Sequence, residues 1–235
     1  FYTVVAGGCG NVSSGRGGAI IGGITNTASG VCSVVGGGKN NTSSGIYAFT
    51  GAGIGNTSSA SGGTIGGGYY NVSSCGYSTV GGGQQNTASG RYSFAGGGIC
   101  NLSNGDQSAI GGGSWNKIIS SLATCCATGA TIGGGVGNNT TGGTWNLYGI
   151  PSINPTVVEA GKYSTIGGGF QNQATNNASA VAGGLCNIAS GACSFIGGGD
   201  CNTVSNGRSA ILGGYANKIL SLFSTIGGGY GNCIA

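Results

Sequence analysis

The apolar residues of this chain recur on a fifteen-residue period, not a helical one. With each recurrent asparagine counted as position one, position ten is nearly always β-branched. It holds Val5, Ile20, Val35, Ile65, Val80, Ile110, Ile132, Ile166, Val181, Ile196, Ile211 and Ile226. Position eight is small throughout, as in Ser33, Ala48, Ser78, Ser93, Ser164 and Ser224. Side chains two apart in an extended strand share a face, so eight and ten point the same way. The pattern predicts a short strand here, with Ile stacked on Ile from repeat to repeat as the core. Position thirteen is Gly from Gly8 to Gly229, and position twelve is Gly except at Ala52. A glycine kept at a fixed point marks either a left-handed backbone or a neighbouring backbone too close for a Cβ.

The asparagines run Asn11, Asn26, Asn41, Asn56, Asn71, Asn86, Asn101 and Asn116, then Asn138, Asn172, Asn187, Asn202, Asn217 and Asn232. So short a unit cannot enclose a core alone, and each repeat therefore reads as one coil of a stack. The expected fold is all-β: a parallel β-solenoid with fifteen-residue coils, one segment spanning 1–235. The late arrival of Asn138 and Asn172 places insertions near 121–129 and 139–156. Identical amides in register can each donate and accept, so the ladder is expected to bond along the stack. Asn11, Asn41, Asn56, Asn71 and Asn101 also sit in glycosylation sequons, but Asn26, Asn86, Asn187 and Asn202 do not. Structure accounts for the whole ladder and glycosylation for only part of it.

Composition narrows the options. The chain has 235 residues and 58 glycines without the every-third spacing of collagen. Only 4% of residues are charged and 38% are hydrophobic, in register, so the chain is expected to be ordered. The seven basic residues are dispersed along the length, which argues against nucleic acid as a partner. No apolar run approaches the ~20 residues of a membrane span. Both ends fall inside a coil without a polar cap, so the sequence reads as a segment of something longer. Position nine should face outward, yet it carries Val4, Val34, Phe49, Phe94 and Phe195 and never a charge. That face is expected to be covered by another chain.

The repeat from Asn86 to Cys100 runs Asn-Thr-Ala-Ser-Gly-Arg-Tyr-Ser-Phe-Ala-Gly-Gly-Gly-Ile-Cys. It resembles the head repeats of trimeric autotransporter adhesins, and similar repeats in phage and viral tail fibres. The resemblance covers nearly the whole chain outside 121–129 and 139–156. It implies a left-handed β-roll, three chains side by side as a homotrimer, and a surface-exposed fibre that adheres. Two departures shift its meaning. The repeat is one residue longer than the usual adhesin head repeat and carries a glycine triplet. The chain also has ten cysteines, which autotransporter passengers avoid. Together these point to a virion or other extracellular fibre.

Reactive chemistry is sparse. There is no His, and the acids Asp106, Glu159 and Asp200 fall in different repeats, so no carboxylate pair forms. Calcium-binding turns would need an Asp in each coil. Cys-x-x-Cys spacing is missing. The chain is therefore expected to be no enzyme, with no cofactor and no metal site. Most cysteines read as small apolar fillers, and Cys125-Cys126 lies in the first insertion. Cys186 and Cys201 share position fifteen of consecutive coils, about 4.8 Å apart, and are the candidate disulfide pair. The 139–156 loop holds Trp145 and Tyr148 with Pro151 and Pro155, the only prolines. Aromatics on a stiffened loop suit binding of a host-surface glycan or protein, or else they plug the rod or pack on a neighbouring chain. A competing reading is ice binding, through Thr27/Ser29, Thr42/Ser44, Thr57/Ser59 and Thr87/Ser89. Val72, Leu102, Lys117 and Lys218 break that ladder.

Overall fold

The computed structural model of the chain describes residues 2–119, 128–141, 144–145, 151–152 and 161–235. It comprises two compact units, Phe1–Ser103 and Asn104–Ala235. Each is a parallel β-solenoid, with about 14 turns of roughly fifteen residues between them, and no helix occurs among the described residues. In the first unit, positions nine and ten form seven parallel strands, from Val4–Val5 to Phe94–Ala95. Seven more at positions two and three run from Val12–Ser13 to Leu102–Ser103. The register advances by one full coil at each step, as in Val34↔Phe49 and Thr42↔Thr57. The second unit repeats the first sheet with seven strands, from Ala109–Ile110 to Thr225–Ile226. Its second sheet runs from Gln173–Ala174 to Cys233–Ile234. A third line of isolated bridges follows position fourteen, through Ile54, Tyr69 and Gln84 in one unit and Phe170, Leu185 and Asp200 in the other.

The core lies where the alternation places it. Ile20, Val35, Ile65, Ile110, Ile196 and Ile211 are fully buried, with Ser33 and Ser78 beside them. Burying one such aliphatic side chain contributes about 1.5–3 kcal/mol. Position three supplies the other half of the interior, through Ala28, Ser43, Ser58, Ala88, Val204 and Ile219. Counting back from Asn172 would assign Glu159 to this position, a charge at odds with a buried column. Gly161 already stands at the corner of the coil, so Glu159 belongs to the insertion before it and lies outside the described residues.

The backbone turns left-handed at positions seven, thirteen and fifteen, as at Tyr47 (φ 57°), Gly68 (φ 97°) and Cys201 (φ 56°). Only thirteen demands glycine. A Cβ on Gly68 would lie 2.1 Å from the Gly83 carbonyl oxygen, so positive φ and close approach act together.

The asparagine sits inside this corner. Asn56 Nδ2 donates to the Ala52 carbonyl at 3.0 Å and to the Gly68 carbonyl of the next coil at 2.9 Å. Its Oδ1 accepts the Asn71 backbone N–H at 2.9 Å. The amides also contact one another, Asn56 Nδ2 to Asn41 Oδ1 at 3.0 Å. The ladder therefore bonds mainly to the glycine-corner carbonyls, more than amide to amide.

Candidate functional site

The two insertions leave the stack at one corner. Ile110, Ile132 and Ile166 stay in register across both, as do Lys117, Asn139 and Gln173. The first departs after Ile119 and returns by Thr128; the second departs after Thr141 and returns by Gly161. Both exits fall between positions four and six, in consecutive coils. The corner closes through Gly129 N–H to the Asp106 carbonyl (3.0 Å) and Tyr163 N–H to the Thr128 carbonyl (2.9 Å). Asn139, Thr140 and Thr141 are buried members of a coil, so the second insertion spans 142–160 and not 139–156. Their polar, loop-like composition hides them as coil residues.

Within that insertion, Thr144–Trp145 pairs antiparallel with Pro151–Ser152, setting Trp145 opposite Pro151. Trp145 is thus on a two-stranded ribbon rooted at the corner. Tyr148 and Pro155 lie outside the described residues, as do Cys125 and Cys126. Beside the root, Tyr163 is 57% exposed with Lys162 Nζ 5.6 Å from its ring centroid. The same position in the first unit carries Tyr77 and Tyr92, stacked at 5.3 Å, with the Arg91 guanidinium 5.8 Å from the Tyr92 ring. This aromatic column escaped the sequence reading. Its signal was the recurrent Tyr at position seven, unremarked because it lies outside the core register.

The candidate cysteine pair occupies adjacent coils as expected. Cys186 and Cys201 are both left-handed (φ 54° and 56°), and Cys201 N–H donates to the Leu185 carbonyl at 2.9 Å. Both are free thiols. The hydrogen bond to Asp200 leads in pushing the Cys201 thiol up to about 11, with partial burial and the Asp200 charge adding to it. Burial leads in raising Cys186, followed by the Asp200 charge. Neither is a thiolate nucleophile at neutral pH.

The sequon amides Asn41, Asn56 and Asn71 are fully buried and already donate to backbone carbonyls, so they are not accessible glycan acceptors. Among the described residues no three His, Cys, Asp or Glu side chains gather into a metal-binding group. No helix among them is long and apolar enough to cross a membrane. The outward side chains form columns within each unit instead. Phe49, Phe94 and Phe195 at position nine are each about two-fifths exposed, and Ile21 and Leu212 at position eleven are more exposed still. Comparison with protein-family models and with curated proteins finds no match for this chain.

Proposed function

We propose that this chain is a structural and adhesive segment of a surface fibre, on a virion or another extracellular filament. The solenoid projects, its outward columns bind further copies of the chain, and the insertion corner meets the target. The observation that carries this reading is the uncharged outward face of the first sheet, with exposed Phe49, Phe94, Phe195, Ile21 and Leu212. Repeated exposed apolar side chains on the uncharged face of each unit suit contact between chains. The resemblance to adhesin head repeats supports the fibre role and implies a parallel homotrimer. Light scattering at micromolar concentration is expected to find an oligomer, and a stable monomer would contradict the proposal.

The target-facing part is assigned to the ribbon bearing Trp145, for a host-surface glycan or protein. Coils contact mainly their neighbours, so replacing 142–160 by a short Gly-Ser link should leave the solenoid folded. On an immobilised glycan panel the parent is expected to bind and the replacement variant to lose binding. Equal binding by both would remove the ribbon from recognition.

One observation favours ice binding as a second reading: Thr27, Thr42 and Thr57 stand in register on one sheet. Val72 and Leu102 interrupt the same column. Thermal hysteresis of the purified chain would support it, and its absence would remove it.

A further inference from the structure

The outward face of the first sheet has seven strands in each unit, and its side chains vary along the stack. When a seven-strand face of the first unit meets one of the second unit antiparallel, the first strand of one opposes the last of the other. A two-fold axis along the strand direction reverses the stack and keeps each column facing itself. In that register each Phe meets a smaller side chain. Phe49 opposes Ala180, Phe94 opposes Ala109, and Phe195 opposes Val34. Ile21 and Leu212, the only large residues of position eleven, oppose each other on the second strand pair.

At position fourteen, across the glycine corner, the same register sets Lys39 level with Asp200. These are the only charged members of that column, and neither has an ion-pair partner in its own chain among the described residues. A parallel in-register pairing would instead set Phe against Phe and bring Lys39 level with Lys39.

Position twelve supplies an independent sign of a neighbour. A Cβ on Gly22, Gly37, Gly97, Gly112, Gly168 or Gly213 would meet nothing within 4 Å, and none of them has positive φ. Elsewhere in this column Gly67, Gly198 and Gly228 have φ of 159°, 149° and 153°, so backbone conformation accounts for part of the glycine pattern. The open space at those six admits a second backbone laid against this edge. The area is sufficient. Seven strands at ~4.8 Å by about three residues of width give roughly 340 Å² per face, so two such contacts bury roughly 1,300 Å² in total. A specific interface buries about 1,200–2,000 Å².

We propose that the outward face of the first sheet is a homodimer interface: the first unit of one copy lies antiparallel on the second unit of another, with Phe49, Phe94 and Phe195 seated over Ala180, Ala109 and Val34. This rests on the self-association reading and replaces the parallel arrangement at this face.

The test uses the full chain in sedimentation equilibrium over micromolar concentrations, with Ala19→Asp, Ala210→Lys and the double variant. Both alanines face outward and oppose each other in this register. Each single substitution is expected to weaken dimerisation at least about tenfold by placing an unpaired charge in the interface. The double variant is expected to recover to within about threefold of the parent, because the new charges pair. A double variant as weak as the singles would overturn the antiparallel register, since parallel pairing sets like charges together. Single variants that associate like the parent would overturn this face and leave self-association to another. A trimeric parent would overturn the two-fold pairing, and a monomeric parent would overturn both proposals.

Discussion

The two units share a backbone and differ in what fills it. In the second unit, position three carries Ile118, Val204 and Ile219 among alanines, and these join position ten in one buried cluster of 13 residues from Ile110 to Ile226. In the first unit, position three holds only Ala and Ser, and the apolar interior breaks into clusters of four and three residues. The break falls between Val35 and Ile65, where Ser43, Thr50 and Ser58 are buried. Ser43 Oγ donates to the Val34 carbonyl at 2.9 Å and bonds Thr50 Oγ1 at 2.9 Å. The coil shape therefore does not depend on a continuous aliphatic core. The glycine corner and asparagine ladder, common to both units, set the path, and the interior sets how hard each unit is to open.

The largest effect is expected inside the second unit. Ile196→Asp places an unpaired charge in the aliphatic stack and should cost about 4–5 kcal/mol. Thr203→Asp, outward and paired in register with Lys218, should change stability by less than about 0.5 kcal/mol. Chemical denaturation followed by circular dichroism reads both, and equal losses would break the register.

The ladder should be worth the same in either unit. Asn202→Ala removes three amide donations, to the Gly198 and Gly214 carbonyls and to Asn187 Oδ1, and the acceptor of the Asn217 N–H and side-chain amide. Asn56→Ala removes the equivalent set in the first unit. Each should cost about 3 kcal/mol by the same denaturation assay. A large asymmetry would mean that the ladder, and not the core, distinguishes the units.

A smaller effect has the opposite sign. Ser43→Ala with Thr50→Val removes both partners of a buried hydrogen bond and joins the two apolar clusters. The pair should raise the stability of the first unit by about 1 kcal/mol. Destabilisation would show that the hydroxyl pair itself holds the coil.

The smallest concerns the thiols. Cys201 titrates near 8.5 in an unfolded chain and about 11 when folded, so the folded state retains the proton. Its contribution to stability is complete below about pH 8.5 and is lost as pH rises towards 11. Alkylation of folded Cys201, followed by mass spectrometry, should be slow at pH 8.5 and rise towards pH 11. A rate already saturated at pH 9 would contradict this.

Positions eight, ten and thirteen were legible because a fixed period exposes whatever never varies. Position three was not, since Ser and Ala carry no apolar signal and Glu159 counted onto it across an insertion. The left-handed corners at seven and fifteen were hidden because Tyr47, Gln85 and Cys201 stand where glycine would have announced them. At those corners the Cβ has room, and the strain of about 1 kcal/mol is tolerated. The shared exit of both insertions required the register of Ile110, Ile132 and Ile166 across them, which spacing alone does not give.

Native-state hydrogen exchange on the whole chain tests the contrast between the units most directly, because it reads local opening strand by strand in one sample. The amides of Phe195–Ile196 and Ala210–Ile211 are expected to exchange at least about tenfold more slowly than those of Val34–Val35 and Phe49–Thr50. Equal protection in the two units, or slower exchange around Thr50, would contradict the account.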